Sequence, residues 1–147
     1  CAWSGACGEI SQVMKVLIDT DVLLDVALAR APHAAESADV LRWAEESQNA
    51  YIAWHSIANC AYLLKDGHRS FLGLLMSFVT VVSVGDRESR IALEYPMHDL
   101  EDALQAAAAV ASGSQYIITR NLPDFRKSPI KAITPRQFMA LRLDGGS

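Results

Sequence analysis

The sequence predicts an α/β protein, a three-layer α/β/α sandwich in which helices cover both faces of a central parallel sheet. Short apolar, largely β-branched runs such as Val16-Leu17-Ile18 are typical of strands that are buried on both faces. Segments with apolar residues at helical spacing separate these runs, and no hairpin signal lies between them. Strands that alternate with helices in this way indicate a parallel sheet.

The first half of the chain is predicted to fold as strand, helix, helix, strand and helix. Asp19 ends the first strand, and Thr20 or Asp21 can cap a helix that stops at "RAPH". The segment "AAESADVLRWAEES" has apolar residues at helical spacing with charges between them, which predicts a second helix. We expect a second strand in "AYIAW" and then a helix from about 56 to 65, which Asp66-Gly67 ends.

The second half continues the alternation. We expect a helix across "RSFLGLLMSF", a strand in "VTVVSV", and a short helix in "DRESRIALEY" that Pro96 ends. The Ala-rich "DLEDALQAAAAVAS" predicts a helix closed by Gly113, and "QYIIT" predicts a strand that leads into the loop "RNLPDFRKSP". The last strand is "KAIT", and the last helix begins at "TPRQFMALR" with Thr134 as cap and Pro135 in its first turn.

Length and composition limit the possible classes of protein. A chain of 147 residues can close a hydrophobic core as one domain, so folding requires neither disulfides nor a structural metal. No apolar run is long enough to span a bilayer, which predicts a protein without a membrane partner. The formal charge of -4 argues against non-specific nucleic-acid binding by the whole surface, although a local basic strip remains possible.

Cysteine usage and the two ends of the chain give further expectations. Cys1, Cys7 and Cys60 are odd in number and lack metal-ligand spacing, which suits a reducing cytoplasm. Met14 begins the strongly patterned sequence, so we expect residues 1–13 to be a tag or extension. The domain is expected to span 14–142, with 143–147 as a tail.

Acidic and amide side chains follow predicted strands or begin a predicted helix in several distant segments. In parallel sheets, functional groups collect at the carboxyl ends of the strands. We therefore expect an acidic pocket at this edge of the sheet. Its candidate residues are Asp19, Asp99, Glu101, Asp102, Asn121 and Asp124.

A group of carboxylates predicts a cation. The negative charges repel each other and raise the pKa values of the acids, and a divalent cation removes that cost. Oxygen ligands without His or Cys favour Mg²⁺ or Mn²⁺ over zinc, and Mg²⁺ commonly binds substrate phosphates. The expected chemistry is phosphoryl or phosphodiester transfer.

Three segments together resemble the PIN-domain nucleases, and in particular the VapC-like toxin ribonucleases of bacterial toxin-antitoxin pairs. They are "MKVLIDTDVLLDVALAR", "DLEDALQAAAAVASGSQYIITRNLPDF" and "ITPRQFM", and the likeness extends from Met14 to about Leu141. The resemblance implies a parallel-sheet sandwich and a metal-dependent endoribonuclease that leaves a 5′-phosphate. It also implies frequent homodimers and a cognate antitoxin that blocks the site.

The resemblance assigns roles to individual residues. Asp19 matches the first acid of the family, Asp102 matches the acid on its helix, and Asn121 and Asp124 match the final polar pair. Asp19, Asp102 and Asp124 are therefore the expected catalytic residues and metal ligands. Asp21 lies where relatives usually have Asn, and its alternative role is to cap the first helix.

Asn59 departs from the family pattern. Many active PIN nucleases carry a Glu at this point of the helix after the second strand, and "SIANCAYLL" has a neutral amide instead. Loss of one negative ligand should weaken metal binding. The alternative is therefore a catalytically degenerate PIN domain that binds RNA or a protein without cutting.

A third possibility is a phosphatase, because "DTDVL" also resembles the nucleophile motif of haloacid-dehalogenase-like enzymes, although no convincing downstream Lys motif is present.

The remaining polar residues have local explanations as well. We expect Asp99 to cap its helix rather than to bind metal, Asn121 to fix its loop, and Asp25 to face solvent or form a salt bridge. A group of basic residues next to the acidic edge is predicted either to hold RNA phosphates or to lie in a solvated loop. These residues are Arg120, Arg126 and Lys127.

The aromatic residues and the histidines are assigned by spacing. Trp43, Trp54, Tyr62 and Phe138 are predicted to lie in the core because they recur at helical or strand spacing. The four histidines have no mutual metal spacing and are expected at the surface.

Overall fold

The computed structural model describes residues 13–145, within which five parallel strands form one sheet in the order β3-β2-β1-β4-β5. The strands are β1 (Val16–Ile18), β2 (Ala50–Ile52), β3 (Thr80–Val81), β4 (Tyr116–Ile118) and β5 (Lys131–Ile133). β1 lies at the centre, where Val16 pairs with Ala50 on one side and with Tyr116 on the other. Residues 1–12 of the expected extension and residues 146–147 of the expected tail lie outside the described part.

Within the same residues, seven helices surround the sheet. They are α1 (Thr20–Ala27), α2 (Ala34–Ser47), α3 (Trp54–Leu64), α4 (His68–Leu75), α5 (Asp86–Glu94), α6 (Leu100–Ser112) and α7 (Pro135–Gly145), with a 3-10 turn at Leu122–Phe125. Side chains of Val16 and Ile18 pack with α1 to α4 and α7 on one face, whereas Leu17 packs with α6 on the other. The predicted three-layer α/β/α sandwich is confirmed. None of the helices in residues 13–145 has the length and apolar character that a bilayer crossing requires.

The aromatic prediction is half correct. Trp43 and Phe138 are buried and their rings meet edge to face, 4.8 Å apart between centroids. Trp54 and Tyr62 are 68% and 81% exposed, so their assignment to the core is wrong. The small side chains of Ser56 and Cys60 mark the face of α3 that packs against the sheet, which leaves the large aromatic side chains on the opposite face.

Several predicted boundaries need correction. The helix α1 ends at Ala27, before "RAPH", and α3 begins at Trp54 instead of about Ser56. The segment "VTVVSV" forms only the two-residue strand Thr80–Val81. This strand lies at the edge of the sheet and pairs only with the short β2, so a high β propensity cannot extend it.

The caps follow the sequence closely. The Asp99 side chain accepts a hydrogen bond from the Asp102 N–H at 3.1 Å, which confirms it as the cap of α6. Thr134 caps α7 reciprocally with Gln137, because the Thr134 hydroxyl accepts from one backbone N–H at 3.1 Å and the Gln137 side chain accepts from the other at 2.9 Å. Gly113 closes α6 as expected.

Gly113 allows a prediction about stability. Its φ of 72° lies in the left-handed region, and no atom lies within 4 Å of the position that a Cβ would take. Gly113→Ala is therefore expected to lower the free energy of unfolding by roughly 1 kcal/mol through backbone strain alone. The matched control is Gly73→Ala in α4, where the space is also open and Ala should raise that free energy by about 0.5–1 kcal/mol. Equilibrium urea unfolding measures both changes, and changes of the same sign would contradict the assignment.

Candidate active site

Asp19 lies where β1 leaves the sheet beside β4. Its N–H donates to the Ile118 carbonyl at 2.9 Å, which continues the parallel ladder by one residue. The side chain is buried and held by two donors, the Thr20 N–H to Oδ1 at 2.7 Å and the Thr119 hydroxyl to Oδ2 at 2.8 Å. The carboxylate is therefore fixed at the carboxyl edge of the sheet, as the sequence predicts.

Asp19 lines a cavity of about 320 Å³ that collects polar groups from four distant segments. The amide of Asn59 comes from α3, and the carboxylates of Glu101 and Asp102 come from the first turn of α6. The charged and amide side chains of this cavity, the acidic cavity, are Asp19, Asp21, Arg30, Asn59, Glu101, Asp102, Arg120 and Asn121. The sequence therefore identified most of the groups that the fold brings together here.

Asp124 belongs to the same region but lines a neighbouring cleft of about 200 Å³ together with Arg126 and Lys127. It is exposed in the 3-10 turn and accepts a hydrogen bond from the Asn121 side-chain amide. Asp124 is also close enough to Asp102 to raise the pKa of that acid. The loop after β4 thus lies between the acidic cavity and a basic cleft.

Both central acids have raised pKa values. Burial is the largest cause of the high pKa of Asp19, followed by the charges of Asp21 and Glu101. The pKa of Asp102 is raised to about 7, for which burial is the largest cause, followed by the charges of Glu101, Asp99 and Asp124. One oxygen from each of Asp99, Glu101 and Asp102 lies within 4.8 Å of the others. The cavity therefore holds more negative charge than its protein donors compensate.

The three aspartates of "DTDVLLD" hold the loop "TRN" after β4. Asp19 accepts from the Thr119 hydroxyl, and Asp21 Oδ2 accepts from the Arg120 N–H at 3.1 Å. Asp25 accepts from Arg120 Nε at 2.6 Å and from Nη2 at 3.0 Å. One stretch of sequence thus fixes the hydroxyl, the backbone and the guanidinium of the loop that carries Asn121.

Asp25 is fully buried, so the expectation that it faces solvent is wrong and the salt-bridge alternative is correct. Arg30 and the Ser37 hydroxyl also donate to its carboxylate, each at 3.1 Å. Both oxygens therefore have charged or polar donors, as a buried carboxylate requires. The ion pair with Asp25 further raises the pKa of Arg120, which remains a cation.

A buried polar network next to the cavity was not assigned from the sequence. Glu101 Oε2 pairs with His55 Nε2 at 2.7 Å and accepts from Gln105 Nε2 at 3.0 Å. The Gln105 amide also donates to the hydroxyls of Ser56 and Thr20, at 2.9 and 3.3 Å. The sequence pattern that could have indicated this network is the spacing of Glu101 and Gln105, which lie four residues apart on one face of the helix that carries Asp102.

The donor set of the acidic cavity fits a hard divalent cation. All the candidate ligands are carboxylate or amide oxygens, and no His or Cys from residues 13–145 lines the cavity. Asp21 Oδ1 is buried and has no hydrogen-bond partner within the described part of the chain. An orphaned carboxylate oxygen beside acids with raised pKa values is the arrangement that a cation would stabilise.

A sequence model of the PIN domain family matches residues 15–123. The chain belongs to the PIN domain family. PIN domains are generally nucleases and generally use divalent metal ions, which agrees with the acidic cluster at the start of α6. The family resemblance predicted from the three quoted segments is confirmed. A comparison with curated protein sequences finds no match.

Solved toxin-antitoxin complexes contain chains with the same fold as this PIN domain. VapBC2 from Rickettsia felis, bound to a DNA fragment from its promoter, matches with a TM-score of 0.65 and 15% identity over 82% of this chain and 98% of that chain. A toxin-antitoxin complex from Klebsiella pneumoniae gives a TM-score of 0.62 and 23% identity, again over 82% and 98%. FitAcB from Neisseria gonorrhoeae gives 0.59 and 18% over the same shares. The PIN domain therefore resembles the VapC-like branch in fold.

Proposed function

We propose that this PIN domain is a Mg²⁺- or Mn²⁺-dependent endoribonuclease and the toxin of a toxin-antitoxin pair. The observation that carries the proposal is the convergence of two buried acids, Asp19 and Asp102, in one cavity at the carboxyl edge of the sheet. Acids with such raised pKa values, from segments far apart in sequence, cost stability in a protein that does not use them.

Asp19, Asp102 and Asp124 would hold the metal, and Asp21, Asn59 and Asn121 would support them. A bound divalent cation lowers the pKa of a water molecule and stabilises negative charge on phosphate oxygens. Asp99 serves as the cap of α6, and its charge adds to the negative potential at Asp102.

The chain's own residues hold the Asp19 carboxylate in place for the proposed reaction. Thr119 and the Thr20 N–H hold both oxygens of Asp19, so this carboxylate needs no reorientation when RNA binds. In the proposed hydrolysis, a water oxygen forms a bond to phosphorus and the P–O3′ bond breaks. The products are a 5′-phosphate and a 3′-hydroxyl, and the water's protons pass to the departing O3′ and to solvent.

The basic residues after β4 divide into two groups. Arg126 and Lys127 are exposed beside Asp124 and are proposed to contact RNA phosphates. Arg120 gives Nε and Nη2 to Asp25, so we propose that it mainly holds the loop and offers only the rest of its guanidinium to a phosphate. Affinity for RNA phosphates would then come from the local basic strip of Arg126 and Lys127, because the whole chain has a net charge of -4.

The proposal also includes a cognate antitoxin, a second copy of the chain and a cytoplasmic location. The proposed domain is 14–142, although its last helix α7 continues to Gly145. The toxin-antitoxin complexes among the similar structures support the antitoxin. Three apolar side chains on α3 are exposed, Trp54 by 68%, Tyr62 by 81% and Leu63 by 51%, which supports a contact with another protein. Leu63 also lines the acidic cavity. A partner on this face would cover the entrance to the site.

Cleavage of a mixed RNA pool tests the proposed activity. We expect purified protein to cut RNA with Mn²⁺ and to stop when EDTA is added, leaving 5′-phosphate ends. Asp102→Asn should lower the rate roughly 10²-fold or more, because it removes a charged ligand from the site. Asp39→Asn is the matched control, since Asp39 only pairs with Arg42 on the exposed side of α2. Cleavage that persists in EDTA would contradict the proposal.

Asn59 favours a second candidate function, an inert PIN domain that binds RNA or a protein. Its neutral amide lines the cavity where many relatives carry a Glu. Calorimetric titration with Mn²⁺ separates the two functions, because tight binding that Asp102→Asn abolishes is expected only of the nuclease.

A further inference from the structure

Asn59 leaves the α3 side of the acidic cavity without a negative charge. The affinity of a site for a hard divalent cation depends on the negative charge of its carboxylates. Another acid of this chain should therefore supply the negative charge that the Asn59 amide lacks. The cavity contains one such acid that the resemblance does not assign, Glu101 in the first turn of α6.

Glu101 lies close enough to both central acids for its charge to act on them. It lines the acidic cavity together with Asp19, which follows β1, and with Asp102, its neighbour on α6. One of its oxygens lies within 4.8 Å of an oxygen of Asp102. Glu101 therefore shares the electrostatic environment of the acids to which the metal is assigned, although its side chain is 43% exposed.

The contacts of Glu101 differ from those of an ordinary acid in the first turn of a helix. Such an acid is favoured by the helix dipole and needs no side-chain partner. Glu101 Oε2 instead has two, His55 Nε2 and Gln105 Nε2, whereas no hydrogen bond within residues 13–145 reaches Oε1. One oxygen is thus fixed by protein donors and the other is left for a ligand.

The hydrogen bond from Gln105 to Glu101 leaves another polar atom of Gln105 without a partner. It is fully buried, and its Oε1 has no hydrogen-bond partner within the described residues, while its Nε2 serves Glu101, Ser56 and Thr20. The opposite orientation of the amide would place Oε1 against the Glu101 carboxylate. An orphaned buried oxygen is unfavourable, so the negative charge of Glu101 decides the orientation of the amide.

We propose that Glu101 is a metal-ligating carboxylate that replaces the acid missing at Asn59, so that α6 instead of α3 completes the site. His55 and Gln105 are then positioning residues, because they act on the metal only through Glu101. The inference rests on the proposed nuclease function and adds a ligand and its supports to it.

Calorimetric titration with Mn²⁺ tests the inference, and RNA cleavage is the second readout. We expect Glu101→Gln to weaken Mn²⁺ binding at least about tenfold and to slow cleavage, because the side chain keeps its length and an oxygen acceptor but loses its charge. The control is Glu46→Gln, which removes one charge from the exposed face of α2 and should change neither readout.

Circular dichroism checks that each variant is folded. If Glu101→Gln does not fold, Glu101→Asp decides the question, since it keeps the charge but shortens the side chain by one methylene and should lose the contacts with His55 and Gln105, which is expected to weaken Mn²⁺ binding. A folded Glu101 variant that binds Mn²⁺ as tightly as the wild type would overturn the inference. Failure of the wild type to bind Mn²⁺ would instead overturn the proposed function. Binding that Asp102→Asn abolishes and Glu101→Gln leaves intact would overturn the role of Glu101 alone.

Discussion

Asp19→Asn is expected to slow RNA cleavage strongly while it stabilises the metal-free protein. Asn keeps an oxygen for the Thr20 N–H and places an amide next to the Thr119 hydroxyl, so the local geometry is retained. Activity should fall roughly 10²- to 10³-fold, because the charge that binds the metal at the end of β1 is lost.

The stabilising effect follows from the raised pKa of Asp19. An acid whose pKa is higher in the folded state than in the unfolded state contributes stability below its unfolded pKa, and that contribution is lost as the pH rises through the folded pKa. At pH above the folded pKa, the ionised Asp19 therefore destabilises the metal-free fold, and Asn removes this effect. The expected rise in Tm is roughly 2–4 °C for each kcal/mol relieved.

Thermal unfolding in EDTA and RNA cleavage in Mn²⁺ measure the two effects of Asp19→Asn on the same preparation. Asp39→Asn again serves as the control, because its partly exposed ion pair on α2 should leave both quantities unchanged. Mn²⁺ should raise the Tm of the wild type and of Asp39→Asn but not that of Asp19→Asn. A variant that loses both activity and stability would indicate that Asp19 serves the fold instead of the metal.

The features that the sequence predicted well depend on local chemistry. Asp99, Gly113 and Thr134 cap their helices through groups within a few residues, so their roles could be assigned without knowledge of the tertiary structure. The rule that functional groups collect at the carboxyl ends of parallel strands then predicted that Asp19 and Asp102 lie at one edge. This rule requires only that the strands are parallel.

The features that the sequence did not predict depend on which face of a helix meets the sheet. Residue spacing placed Trp54 and Tyr62 in the core, but only the packed structure shows that both lie on the outward face of α3. The pairing of His55 with Glu101 spans 46 residues, and that of Asp25 with Arg120 spans 95. Neither pairing follows from propensity or periodicity, since both depend on the packing of α3, α6 and the loop after β4.

Asp25→Asn is expected to cause the largest loss of stability, about 3 kcal/mol in the free energy of unfolding. Asp25 is fully buried and both of its oxygens carry donors, so removal of its charge leaves the partly buried Arg120 guanidinium without its counterion. Equilibrium urea unfolding measures the loss. The matched control is Asp86→Asn, which breaks an ion pair with Arg90 whose side chains are 77–79% exposed and should cost less than about 0.5 kcal/mol.

A double-mutant cycle with Arg120→Met attributes the loss to the ion pair itself. If the pair carries the effect, Asp25→Asn should cost much less in the Arg120→Met background, because the partly buried Arg120 cation is then absent, and the coupling energy should be about 1–3 kcal/mol. Additive changes would show that Asp25 acts through Arg30 and Ser37 instead. Because Arg120 also donates its N–H to Asp21 and adjoins Thr119, loss of the pair should loosen the loop that holds Asp19. Asp25→Asn is therefore expected to weaken Mn²⁺ binding as well, although Asp25 does not line the acidic cavity.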